Sequence, residues 1–195
     1  MSLLSLHFKI LGSIVLLLWA LAFVNEAFLG GRLCRFGIRP RQREGINGIF
    51  FCPLLHADFS HLAANTIPLV ILGEFLLLSG VQVFAIATVV IWIVGGWAVW
   101  FLGRPHTNHV GASGLVFGYI GFLLLRGYLE QSPGAIAIAL LTNVLYLTTL
   151  RGIWPFQHPI ISWEGHLFGL LSGGAAAYGL PRLNQWINLL LEGVG

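Results

Sequence analysis

Apolar residues in this chain fall in long runs, separated by short stretches where glycine, proline and charge collect. About 20 consecutive apolar residues span a hydrocarbon core as a helix, and each run must satisfy its own backbone hydrogen bonds there. Six runs can be read: about Phe8 to Leu29, His61 to Ser79, Gln82 to Leu102, Val110 to Leu129, a shorter one from Ala135 to Leu150, and about Gly165 to Leu180. The first run has Lys9 before its apolar stretch, as a signal peptide would, but the length and the lack of a clear small-x-small cleavage site favour a retained span. Beyond Pro181, Leu183, Trp186, Ile187 and Leu190 recur at helical spacing, which predicts a short helix lying at the interface over 182–195.

Composition agrees with this pattern: 57% of the 195 residues are apolar, 9% are charged and the mean hydropathy is +0.86. The longest polar interval, Gly30 to about Leu55, is too short to bury a core of its own, so the expected organisation is a single all-α membrane domain over 1–195. The net charge of +3 comes largely from Arg32, Arg35, Arg39, Arg41 and Arg43 in that interval. They are read as anchors to lipid headgroups rather than as a nucleic-acid surface. Cys34 and Cys52 flank the same loop, and two cysteines alone leave their pairing open.

The polar residues that could do chemistry are clustered. His56, Asp58, His61 and Asn65 sit at the start of the second run, Ser113 at the start of the fourth and His166 at the start of the sixth. Even-numbered spans cross in the same direction, so these starts share one membrane face whichever way the protein is oriented. At 1.5 Å per residue all lie within about one turn of their helix starts, a shallow site that water can reach. Polar groups inside a span are costly unless they face a cavity or a partner, which makes them functional candidates.

Glycine spacing predicts which helices touch. Gly165, Gly169 and Gly173 recur every four residues, as do Gly114 and Gly118 with Gly121 following, and small-xxx-small faces let backbones approach closely. Contact between the fourth and sixth spans would bring the His166 imidazole near the Ser113 hydroxyl, the arrangement of a serine activated by a general base. His61 and Asn65, at i and i+4, could both address one oxyanion, and the Ser113 N–H near a helix start could add a donor.

Three motifs in this order resemble the rhomboid family of intramembrane serine proteases: His-x-x-x-Asn at His61 and Asn65, Gly-x-Ser-Gly over Gly111, Ala112, Ser113 and Gly114, and Gly-His-x-x-Gly-x-x-x-Gly at Gly165, His166, Gly169 and Gly173. The resemblance covers about 49–179 and implies a six-transmembrane-helix bundle. It implies Ser113 as nucleophile and His166 as base with no third acid, and His61, Asn65 and the Gly111–Ser113 main chain about the oxyanion. It also implies a gap between the second and fifth spans for a substrate's transmembrane segment, and a cap formed by "GIWPFQHPIISW". His56 matches the family's histidine at the junction before the second span and is read as structural, with Gly114, Gly169 and Gly173 as supports. Partners implied are transmembrane protein substrates and the bilayer; no cofactor, metal or nucleic acid is implied.

Two features depart from the family. Many members carry a Trp-Arg pair in the first loop where Asn47 and Gly48 stand here. Bacterial six-helix relatives also hold both termini in the cytoplasm and face the site outward from the plasma membrane. That would place Arg32, Arg35, Arg39, Arg41, Arg43, Arg104 and Arg151 outside and only Lys9, Arg126 and Arg182 inside, the reverse of the positive-inside rule. Asp58 and Glu164 are read as helix-start residues, Glu74 as bonding a neighbour or snorkelling, and Trp92, Trp97, Trp100, Trp154 and Trp163 as interfacial. Rival readings are a catalytically inactive binder of transmembrane clients and a metal hydrolase built on His56, His61, His106, His109, His158 and His166.

Overall fold

The computed structural model describes residues 2–155 and 162–192, with side chains described as far as 181. Its α-helices are α1 (Leu3–Leu29), the short α2 (Gly48–Phe51), α3 (Phe59–Leu77), α4 (Val81–Leu102), α5 (Ser113–Glu130), α6 (Pro133–Tyr146) and α7 (Trp163–Glu192), and no strand occurs among the described residues. The six apolar runs correspond to α1 and α3–α7. Three of them, α1, α3 and α4, are long and apolar enough to cross a membrane by length and composition. The 14-residue α6 is shorter, about 21 Å at 1.5 Å per residue.

The ends of these helices follow local chemistry. Asp58 caps α3 by accepting the His61 N–H at 2.8 Å, as expected for an acid at a helix start. Ser132 caps α6 in the same way, with Pro133 in the first turn. The C-terminal segment departs from the expected pattern: α7 runs through Pro181 to Glu192 with no break where a separate helix was expected. Apolar spacing signals helix on both sides of a proline without showing whether the two stretches are one.

The helix α5 forms the centre, with Leu115–Leu123 buried throughout. It packs most extensively on α7, and glycine makes the approach close: a Cβ on Gly169 would strike the Gly114 carbonyl, and one on Gly173 the Gly118 carbonyl. On the other side Gly118 lies against Ile91 of α4. α1 packs on α3, and α6 chiefly on α5. Glu74 takes His7 of α1 as its partner at 2.9 Å.

The loop between α1 and α3 folds back onto α4 and the loop before α5. Ile38 and His109 exchange two backbone hydrogen bonds of 2.9 Å. Trp92 donates to the Ile49 carbonyl at 2.7 Å and Trp100 to the Gln42 carbonyl at 3.0 Å. The interfacial reading is therefore corrected for these two indoles, which pin the loop. Backbone contact also accounts for Gly48 where the family pair is missing: a Cβ there would collide with the Gly37 backbone. Cys34 and Cys52 are free thiols.

A side chain at position 169 has no space to occupy, so Gly169→Val is expected to destabilise the bundle by about 1–3 kcal/mol or more. Gly12 has open space around it, so Gly12→Ala serves as the control. Thermal unfolding in detergent checks this; equal midpoints for both variants would contradict the close packing.

Candidate active site

The loop before α5 turns into the helix at Gly111, whose φ of +119° favours glycine. Space demands glycine as well, since a Cβ there would lie 2.7 Å from the His61 ring. Ser113 then occupies the first helical position. Its N–H has no backbone acceptor among the described residues, whereas Leu115 and Val116 in the same turn both donate to the Ala112 carbonyl.

One open cavity is lined by His61 and Asn65 of α3, Ser113 and Phe117 of α5, Thr149, and His166 of α7. The four candidate polar side chains are thus brought to one place. Asn65 is buried, and its Nδ2 meets no acceptor, leaving two N–H donors unspent. Pro68 in α3 cannot donate to the Ala64 carbonyl, and both residues line the cavity.

His166 is held from two sides. Its ring stacks on Phe117 with centroids 4.2 Å apart and planes 6° from parallel. Its Nδ1 lies 2.9 Å from the Gly152 carbonyl oxygen. A carbonyl only accepts, so the proton sits on Nδ1 and Nε2 is left unprotonated. No hydrogen bond joins Ser113 Oγ to His166 among the described residues. Such bonds are often long without substrate and tighten in the reacting complex.

His56, expected to be structural, does more than brace the first loop. Its Nε2 accepts the Ala112 N–H at 3.2 Å, while its carbonyl accepts the Cys34 thiol at 3.2 Å. It thereby ties the first loop to the residue before Ser113. Glu164 corrects another expectation: its carboxylate is 1% exposed and paired with Arg104, while Ser162 Oγ accepts the first-turn Gly165 N–H. Phe117, Gly152, Arg104 and Ser162 carry no signal in the sequence, since each matters through a neighbour distant along the chain. The segment 156–161, including His158 and most of the expected cap, lies outside the described residues. No group of three His, Cys, Asp or Glu converges among the described residues.

These features define a helical membrane protein with serine, histidine and asparagine gathered at one shallow cavity. The Rhomboid domain family model matches residues 43–183, and the chain belongs to the rhomboid family. An uncharacterized protein of Mycobacterium tuberculosis is 41% identical over 177 residues, covering 86% of this chain and 74% of its own. Another from Mycobacterium leprae is 39% identical over 163 residues, 80% of this chain and 64% of its own. Rhomboid-type serine protease 2 of Yarrowia lipolytica is 26% identical over 160 residues, 75% of this chain and 49% of its own.

Burial lowers the pKa of both His56 and His109 from 6.5 to about 4, so each is neutral in the fold. The unfolded chain takes up these protons near 6.5 and the folded chain only near 4. Their contribution to stability is therefore complete above about pH 6.5 and is lost as pH falls from there towards 4. The unfolding midpoint is expected to be lower at pH 5 than at pH 7.5. His56→Gln keeps an acceptor for Ala112 but cannot titrate, so it should narrow the gap; an unchanged gap would remove His56 from this account.

Proposed function

We propose that this chain is an intramembrane serine endopeptidase that cleaves transmembrane segments of other membrane proteins. The observation that carries the reading is the orientation of His166: Gly152 holds the Nδ1 proton, and Nε2 remains as a base in the cavity that Ser113 lines. Ser113 Oγ attacks the scissile carbonyl carbon as its proton passes to His166 Nε2. The Ser113 N–H and Asn65 Nδ2, with His61 beside them, donate to the developing oxyanion. His166 then protonates the leaving amine, the acyl-enzyme forms on Ser113, and a water activated by the same imidazole releases the product.

The proposed substrate route is the side of α3 facing α6, because α6 packs chiefly on α5. The proposed topology has six crossings, with the N-terminal ends of α3, α5 and α7 at the outer face of a bacterial plasma membrane. Membership in the family and the similarity to a rhomboid-type serine protease support an enzyme. The missing Ser113–His166 hydrogen bond favours a second reading, an inactive binder of transmembrane clients.

Cleavage of a single-span substrate by purified protein in lipid vesicles divides the two. Ser113→Ala and His166→Ala are each expected to abolish cleavage with helix content unchanged, and Asn65→Ala to slow it by about 10² to 10³. Full activity in either of the first two would reject the mechanism, and no cleavage of several substrates by the unmodified chain would favour the binder. For topology, a membrane-impermeant maleimide applied to intact cells is expected to label Cys34. Modification only after the membrane is opened would reverse the proposed orientation.

A further inference from the structure

We infer that Arg104 and Glu164 form a positioning clasp that sets the angle of the His166 imidazole towards Ser113; this rests on the Ser113–His166 reading above. The pair is bidentate, with Arg104 Nε 2.5 Å from Glu164 Oε1 and Nη2 3.2 Å from Oε2. The Arg104 backbone N–H donates to Oε1 as well, at 3.2 Å. Bidentate pairing fixes direction as well as distance, because both planar groups must align.

A second connection runs beside it. Thr107 Oγ1 donates to the Arg104 carbonyl at 2.7 Å and accepts from His109 Nε2 at 2.7 Å. Ser162 Oγ donates to His109 Nδ1 at 2.5 Å and accepts the Gly165 N–H at 3.3 Å. These bonds are consistent with a neutral His109 carrying its proton on Nε2. Together the two connections join the loop that leads into Ser113 to the first turn of the helix that carries His166.

The position of the clasp gives it this role. Successive residues of a helix are about 100° apart around its axis, so Glu164 and His166 stand on nearly opposite sides of α7. Between α5 and α7 the contact is glycine against backbone at Gly114–Gly169 and Gly118–Gly173. At those two crossings glycine lets the helices approach without a side chain to resist rotation or sliding, and nearer the site the Phe117 ring holds His166 from one side. Gripping Glu164 on the far side adds a second, opposing stop. With the Glu164 carboxylate buried and the Arg104 side chain partly exposed, the pair is weak evidence of added stability, since desolvation of the carboxylate offsets its attraction, whereas fixing one geometry is a role such pairs can fill.

The test measures cleavage kinetics in vesicles and the rate at which a fluorophosphonate modifies Ser113, for Glu164→Gln and Arg104→Lys. Glu164→Gln is expected to lower kcat and the labelling rate together by about 10- to 100-fold with KM little changed, the signature of misplaced reacting groups. Arg104→Lys keeps the charge but not the fork, should fall between the two, and carries the test if Glu164→Gln does not fold. Unchanged kcat and labelling in a folded variant, or a change in KM alone, would overturn the clasp while leaving the dyad intact. Absence of Ser113 labelling in the unmodified chain would instead remove the dyad reading and the clasp with it.

Discussion

The arrangement depends first on the approach of α5 to α7. Their backbones meet where Gly169 faces Gly114 and Gly173 faces Gly118, and a Cβ on either residue of α7 would strike a carbonyl. In a bilayer no hydrophobic gain distinguishes helix contact from lipid contact, so close van der Waals packing must do more of the work. The same contact has a chemical consequence: Ser113 is next to Gly114 and His166 lies less than one turn before Gly169, so bringing these two glycines together brings hydroxyl and imidazole to nearly one level. Packing and site are one feature of the sequence.

The proposed catalytic centre makes do with neutral partners. In a serine–histidine–aspartate triad a buried carboxylate orients the base and stabilises the imidazolium that forms. Here the Gly152 carbonyl fixes the tautomer and the Phe117 ring fixes the plane. A carbonyl has less charge to offer an imidazolium than a carboxylate, but it avoids desolvating an anion near the membrane boundary. The nearby anion in sequence, Glu164, is committed to Arg104 on the other side of the helix.

How far the sequence could be read follows from the range of each signal. Hydrophobic runs located α1 and α3–α7 to within about five residues at each end, except for the C-terminal end of α7, which continues past Leu180 to Glu192, because periodicity and length are local. The glycine repeats gave the α5–α7 contact for the same reason. What escaped was contact between segments without a repeat: Trp92 with Ile49, His56 with Ala112, Gly152 with His166 and Arg104 with Glu164. The partners of each lie 14 to 60 positions apart along the chain. Pro181 misled in another way, because a proline after a long apolar run reads as a stop, while α7 continues through it.

The same loop contacts change how the arginines should be counted. Positive-inside reasoning treats cations near helix ends as free to meet lipid and the translocation machinery. Arg104 is instead held in its pair with Glu164, and Arg41 donates to the Phe101 carbonyl in the last turn of α4 at 2.8 Å, where a cation suits the helix C-terminus. Arg35 lies over the Phe36 ring at 4.7 Å. Three of the seven arginines that argue against an outward-facing site therefore have partners within the protein. A loop that folds against its own helices can carry positive charge for reasons of packing, which weakens the objection from charge without any change to the topology.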